Sequence, residues 1–158
     1  MEMEIMQPYL DSVVAVLAQM SDIALTQEPD GADEPEGFSS LGVSSVITFT
    51  GKKKGRLIID LCPELAMEVT RRVLGEPCDS VQDRMLAAVI SELNNTIAGN
   101  ANTELNNRFG YGLRLAPPIV ATGTNMTVSS IRMEARTFFY QSDFGRLKVN
   151  IGFQGGND

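Results

Sequence analysis

Glu92 and Asn95 stand three residues apart in the stretch ISELNNTIAGNA, a spacing that sets a carboxylate and a carboxamide about one helical turn apart on a common face. A carboxylate so placed can pair with a partner's cation or act as a weak base. A neutral carboxamide donates and accepts hydrogen bonds at once, as holding a water molecule requires. The chain has no histidine and no CxxC, which excludes His-based catalytic arrangements and the usual metal-ligand clusters. Chemistry must come from carboxylates, amides, hydroxyls or groups that a partner brings.

The four letters identify nothing by themselves. ELNN occurs twice, at Glu92–Asn95 and Glu104–Asn107, and with eleven Glu and nine Asn in 158 residues chance supplies about 0.6 Glu-x-x-Asn matches. Helical phase separates the copies. At about 100° per residue, Leu86, Ile90, Leu93, Ile97 and Ala101 form an apolar stripe that must face a core. Glu92 and Asn95 lie nearly opposite it, in a row with Ala88, Gly99 and Asn106, whose small or short side chains would let a partner's backbone approach. Glu104 is expected toward the stripe, with Asn107 turned away from the row. A Glu and an Asn on a wet helix face are most often merely solvated. Gly99, Asn100, Asn102, Asn106 and Asn107, however, each cost roughly a few tenths of a kcal/mol or more relative to Ala, a choice that suits a contact surface. Ala88, Glu92 and Gly99 are therefore expected to meet a partner.

Other elements must hold this face in place. Apolar residues at helical spacing predict a first helix over Ile5 to Leu25. Thr26 to Gly37 packs five acidic residues among two prolines and two glycines and is expected to be a solvated connecting loop. Val43 to Thr50 and Arg56 to Leu61, joined by GKKKG, read as a hairpin with its lysines at an exposed tip. Pro63 to Leu74 reads as a helix with Pro at its first position and Gly75 just past its end. The motif helix is expected from Ser80, as N-cap with Asp83 at N3, to about Phe109. Three strands follow: Leu113 to Thr122 broken by Pro117 and Pro118, then Val128 to Tyr140, then Arg146 to Phe153. In the last two, Ile131, Met133 and Ala135, and Leu147, Val149, Ile151 and Phe153, are expected to be buried. Arg132, Glu134 and Arg136, and Lys148, Asn150 and Gly152, are expected to be wet. The order hints at a weakly duplicated helix-plus-sheet unit within one domain spanning 1–158.

Composition narrows the partners. Hydrophobic residues make up 43% and charged residues 21%, as in folded soluble chains. The net charge of −7 with thirteen scattered Lys and Arg argues against nucleic acid. The acidic start MEMEIMQPYL and the short apolar run Val13 to Leu17 predict a cytoplasmic protein with no membrane span. Cys62 and Cys78 flank a helix of about a dozen residues, roughly 20 Å at 1.5 Å per residue, which argues against a disulfide.

These residues resemble the CheC/CheX/FliY family of bacterial chemotaxis phosphatases, its CheX members above all. The resemblance is carried by ITFTGKKKGRLIIDL, LAMEVTRRVLG and ISELNNTIAGNA, and by Pro118, with 22 residues between it and Asn95 as in the family's Asn-x22-Pro pattern. Gly99 and Asn100 select the first ELNN copy. The resemblance implies an α/β (α+β) CheC-like domain with long helices packed on antiparallel sheets. It also implies hydrolysis of the aspartyl phosphate of a phosphorylated CheY-type response regulator. In that reaction Asn95 would orient the attacking water and Glu92 would pair with the regulator's active-site lysine. No cofactor is implied on this chain, the Mg2+ being the regulator's. CheC-like members carry a second motif on the first helix, where Asp11 to Val14 here offers Asp and no Asn, so one site per chain is implied. The alternative is a non-enzymatic adaptor of a chemotaxis or flagellar-switch complex. A third reading is a purely structural domain that pairs with itself through edge strands, strands such as Arg146 to Phe153 being able to extend a sheet across a dimer; a homodimer is expected and is compatible with all three.

Overall fold

Helix α1 (Met3–Ser21) turns Met6, Tyr9, Leu10, Val13, Val16 and Leu17 inward, each 2% exposed or less. It stops four residues before the expected end, where Asp22 takes a positive φ of 55° and donates its N–H to the Ala18 carbonyl. The coordinates are a computed structural model describing residues 3–29, 32–33, 38–128 and 133–154. The acidic stretch that follows is not simply a solvated loop. Its residues form β1 (Thr26–Gln27) and β2 (Ala32–Asp33), both zipped antiparallel onto a later strand. Residues 30–31 and 34–37 of that stretch lie outside the described residues. Backbone pairing needs no apolar side chain, so a composition that cannot build a core can still cover an edge.

After β3 (Phe38–Ser39), strands β4 (Val43–Thr50) and β5 (Gly55–Leu61) form the expected hairpin, with Lys52, Lys53 and Lys54 exposed at its tip. Helix α2 (Pro63–Leu74) has the expected bounds, and Gly75 ends it in the left-handed region at φ 73°, its N–H bonded to the Arg71 carbonyl. Arg72 reaches back to α1, donating to the carbonyls of Ser21 and Asp22 at 3.2 and 2.9 Å. Helix α3 (Arg84–Phe109) begins one turn later than expected. Asp83, not Ser80, is its N-cap and accepts from the Met85 N–H, while Ser80 closes a separate turn on Gln82.

Strands β6 (Arg114–Leu115) and β7 (Ile119–Thr122) both pair with β4, divided as expected at the two prolines. Then come β8 (Thr127–Val128), β9 (Met133–Ser142) and β10 (Gly145–Gln154), with Ile131 and Arg132 outside the described residues. The main sheet runs β1-β9-β10-β5-β4-β6, with β2 on β9 and β7 on β4, while β3 and β8 make a separate pair. The fold is thus a mixed one, helices on antiparallel sheet. Its two hairpins, β4–β5 and β9–β10, meet through their second strands, and that gives the suspected duplication a form. Strand β10 lies inside the sheet, both edges paired, so Arg146 to Phe153 cannot extend a sheet between copies.

One expectation about faces is overturned, and another holds in exposure but not in which layer it serves. In β9 Ala135 is buried and Glu134 exposed as expected, yet Ala135 lies with Thr137 on the face away from the helices; the helix-side core takes Phe138 and Tyr140, which share their face with Glu134 and Arg136. The two aromatic rings carry more apolar area than Met133 and Ala135 and decide which way the strand faces. In β10 the supposedly wet residues Lys148, Asn150 and Gly152 are buried as well. They belong to a polar second layer. Arg56 donates to Asn150, Asn150 to Thr137, Lys148 to the Ser39 carbonyl, and Ser40, Ser44 and the Leu41 N–H all donate to Asp60. Among the described residues no helix is long and apolar enough to cross a membrane.

Candidate functional site

Helix α3 holds the candidate site, and packing on three sides determines which way it faces. Leu86, Ile90, Leu93, Ile97 and Ala101 are buried as their phase requires, at 1% exposure or less. Toward the sheet, Asn94 donates to the Ser45 carbonyl at 3.0 Å, the Ser45 hydroxyl at 3.1 Å and the Leu57 carbonyl at 3.4 Å. Toward α1, Ser12 donates to the Ile97 carbonyl at 2.9 Å, and the Tyr9 hydroxyl donates to Asn102 Oδ1. Burial pushes the Tyr9 phenol up, so it stays a protonated donor. On the third side Gly99 faces Leu115 of β6. At the far end Asn106 clips the following chain, donating to the Leu113 carbonyl and accepting from its N–H.

Glu92 and Asn95 emerge on the remaining face. Both are exposed, as is Ala88, and Gly99 is half-buried. No side-chain hydrogen bond engages Glu92 or Asn95 among those described, and Thr96 donates to the Glu92 backbone carbonyl at 2.8 Å. The carboxylate and carboxamide are therefore presented by a helix fixed from below. The face is convex. A cavity of about 570 Å³ lies elsewhere, between the C-terminal ends of α1 and α2, and one of about 260 Å³ beside α1. Neither is lined by an α3 residue. A small substrate needs a concave site, whereas an exposed pair on a helix face suits a macromolecular partner that brings the cleft.

Three parts of the residue-level reading need correction. Glu104 does not lean on the apolar stripe: it is exposed and pairs with Arg108 at 3.2 Å. The second ELNN copy is thus a solvated ion pair near the helix end. Asn102 and Asn106 are not contact-surface residues either, since both are used inside the molecule. Asn94 was missed altogether. Its signal was present in the phase, because position 94 falls between Ile90 and Ile97 on the inward side. The polar letter hid it.

Cys62 and Cys78 are free thiols. Among the described residues no group of three or more Cys, Asp or Glu side chains is placed to hold a metal ion.

A family model described as chemotaxis phosphatase CheX matches residues 43–141, which include all of β4 to β8 and most of β9. No curated protein matches. Among solved structures, a CheC-like superfamily protein from Shewanella sp. PV-4 is 28% identical, covers 98% of this chain and 100% of its own, and superposes with a TM-score of 0.88. A chain of the CheX–CheY–BeF3–Mg2+ complex from Borrelia burgdorferi is 29% identical over 95% of this chain and 97% of its own, with a TM-score of 0.80. The chemotaxis protein CheX from Vibrio vulnificus is 23% identical, covers 96% and 99%, has a TM-score of 0.85, and bears on the fold alone.

Proposed function

This chain belongs to the chemotaxis phosphatase CheX family, and from that premise we propose that it hydrolyses the aspartyl phosphate of a phosphorylated CheY-type response regulator. The observation that carries the reading is the outward pair Glu92 and Asn95, exposed beside Ala88 and Gly99 on a helix held on its other sides. An aspartyl phosphate is a reactive mixed anhydride. Its hydrolysis needs an aligned water more than a new nucleophile. Asn95 enters beside the phosphoryl group, accepts a hydrogen bond from the attacking water and holds it in line with the bond to be broken. Water oxygen bonds to phosphorus, the bond to the aspartyl oxygen breaks, and inorganic phosphate leaves behind a free carboxylate. Glu92 pairs with the regulator's lysine and sets the depth at which Asn95 enters. Mg2+ is the regulator's, as the solved complex of a similar chain with CheY, BeF3 and Mg2+ supports.

The decisive measurement mixes this protein with a phosphorylated CheY-type regulator and follows phosphate loss. Wild type should accelerate it, and Asn95→Ala should bind the phosphorylated regulator nearly as well while working at least tenfold more slowly. An unchanged rate in that variant would remove Asn95 from the chemistry. Binding by wild type without acceleration would make the chain an adaptor. Homodimerisation is proposed as well, with sedimentation equilibrium as its check.

A further inference from the structure

Two buried amides on α3 are chemically odd. Asn94 is fully buried and makes three donor contacts to β4 and β5, yet its Oδ1 has no partner; Asn102, 3% exposed, accepts from Tyr9 and leaves its Nδ2 without one. A buried polar atom without a partner costs free energy, and an apolar side chain such as leucine, which shares asparagine's branching at Cγ, would avoid that cost at either place. Stability alone does not account for them. What an amide adds is direction. Apolar contacts tolerate small rotations and slides of a helix, whereas a hydrogen bond to a fixed carbonyl does not.

The two lie eight residues apart, about 12 Å along the axis and about 80° around it. One grips the sheet beneath α3 and the other grips α1 beside it. A single grip leaves a helix free to roll about it. Two grips at different heights and azimuths fix both roll and slide. Glu92 and Asn95 flank Asn94 in the same turn, on the side away from its grip. We infer that Asn94 and Asn102 are positioning residues that hold α3 in the one rotation and register presenting Asn95 to a partner's phosphoryl group. The inference rests on the reading of Glu92 and Asn95 as the working pair, since alignment of a water tolerates little angular error.

The test uses the full chain with Asn94→Leu, and with Asn102→Leu combined with Tyr9→Phe so that no hydroxyl is stranded. Each variant is measured for thermal stability, for kcat and KM against a phosphorylated CheY-type regulator, and for amide chemical shifts and line widths over residues 88–99. The expected result for Asn94→Leu is a melting temperature equal to or above wild type, with kcat lowered at least fivefold and KM within about twofold. Resonances of 88–99 should shift or broaden. A merely structural role would lower kcat only together with the melting temperature. A folded variant with wild-type kcat and unchanged resonances would overturn the inference. Should Asn94→Leu not fold, the double variant is judged by the same criteria, and its failure to fold as well would make the amides structural and overturn the inference too. If wild type itself fails to accelerate dephosphorylation, the phosphatase reading is lost, and the resonances of 88–99 still decide whether the amides fix the helix.

Discussion

A methyl group added at Gly99 would meet only Leu115 Cδ1, at 3.8 Å, which is ordinary contact. The fold does not need a glycine there, and glycine inside a helix costs about 1 kcal/mol relative to alanine. Gly99→Ala should therefore raise stability by up to about 1 kcal/mol in denaturant titrations. If the position is kept small for a partner's backbone, the same variant should raise KM for the phosphorylated regulator severalfold. A more stable and fully active Gly99→Ala would remove Gly99 from the contact. Glu92→Lys places like charge against the proposed lysine and should weaken binding at least tenfold in calorimetry, a cost of more than about 1.4 kcal/mol. Undiminished affinity would refute the ion pair. Phase arithmetic was enough to place Glu92, Asn95 and Ala88 on the exposed face with Gly99 half-buried beside them, because exposure on a long helix repeats with a fixed period. It failed at Asn94 and Asn102, where the residue type suggested solvent and the position was interior. Nothing in one sequence says which carbonyl an amide will meet.

Helix α3 starts from Asp83, whose carboxylate accepts the Met85 N–H at 2.8 Å. Asp83→Ala should cost about 1 kcal/mol, and Ser80→Ala much less, in urea unfolding. Equal losses would restore Ser80 as the cap. Sequence alone puts Ser80 at the cap and Asp83 at N3, wrongly, because Ser and Asp are equally good caps and only the turn between them decides. The acidic stretch was misjudged for a different reason. Glu28 accepts from Arg146 at two contacts of 2.9 Å and from Gln141 at 2.7 Å, and its N–H donates to the Phe139 carbonyl. The hydrogen bond from Arg146 holds its carboxyl below the usual value, against the opposing pull of burial. A lowered carboxylate contributes stability above the ordinary glutamate value of about 4.3 and loses it as pH falls through the lower value it takes in the fold. Protection of the Glu28 and Gln141 amides in hydrogen exchange should therefore fall below about pH 4. Glu28→Gln should show the weakened protection at neutral pH and no acid-dependent loss of it. A pairing between residues 118 positions apart leaves no trace in local composition.

The main sheet buries two faces of different character. Its helix side is aliphatic and aromatic, with Tyr9 stacked on Phe49 and Phe153 set edge-on to both. Its other side is a polar layer of Arg56, Asp60, Thr137, Lys148 and Asn150. Alternation in β10 suggested one wet face, because period-two patterning reports polarity and polarity usually means water. Here the polar face is covered by chain whose own residues satisfy it, Ser39 and Ser40 among them. Asp60 is where the cost of that arrangement can be measured. Burial raises its pKa above the usual carboxylate value, and hydrogen bonds from Ser40, Ser44 and the Leu41 N–H, with the charge of Lys148, offset this only in part. A carboxyl raised on folding binds its proton more tightly in the folded state, so its contribution to stability is greatest below the ordinary aspartate value of about 3.9. That contribution declines as pH climbs through the folded value. Asp60→Asn cannot ionise and keeps a carbonyl oxygen for two of the donors. The stability of wild type minus that of Asp60→Asn, measured by urea unfolding across pH 4 to 7, should shrink as pH rises. An advantage of wild type that grows with pH would mean that the ionised carboxylate is better served by its donors and by Lys148 than burial penalises it.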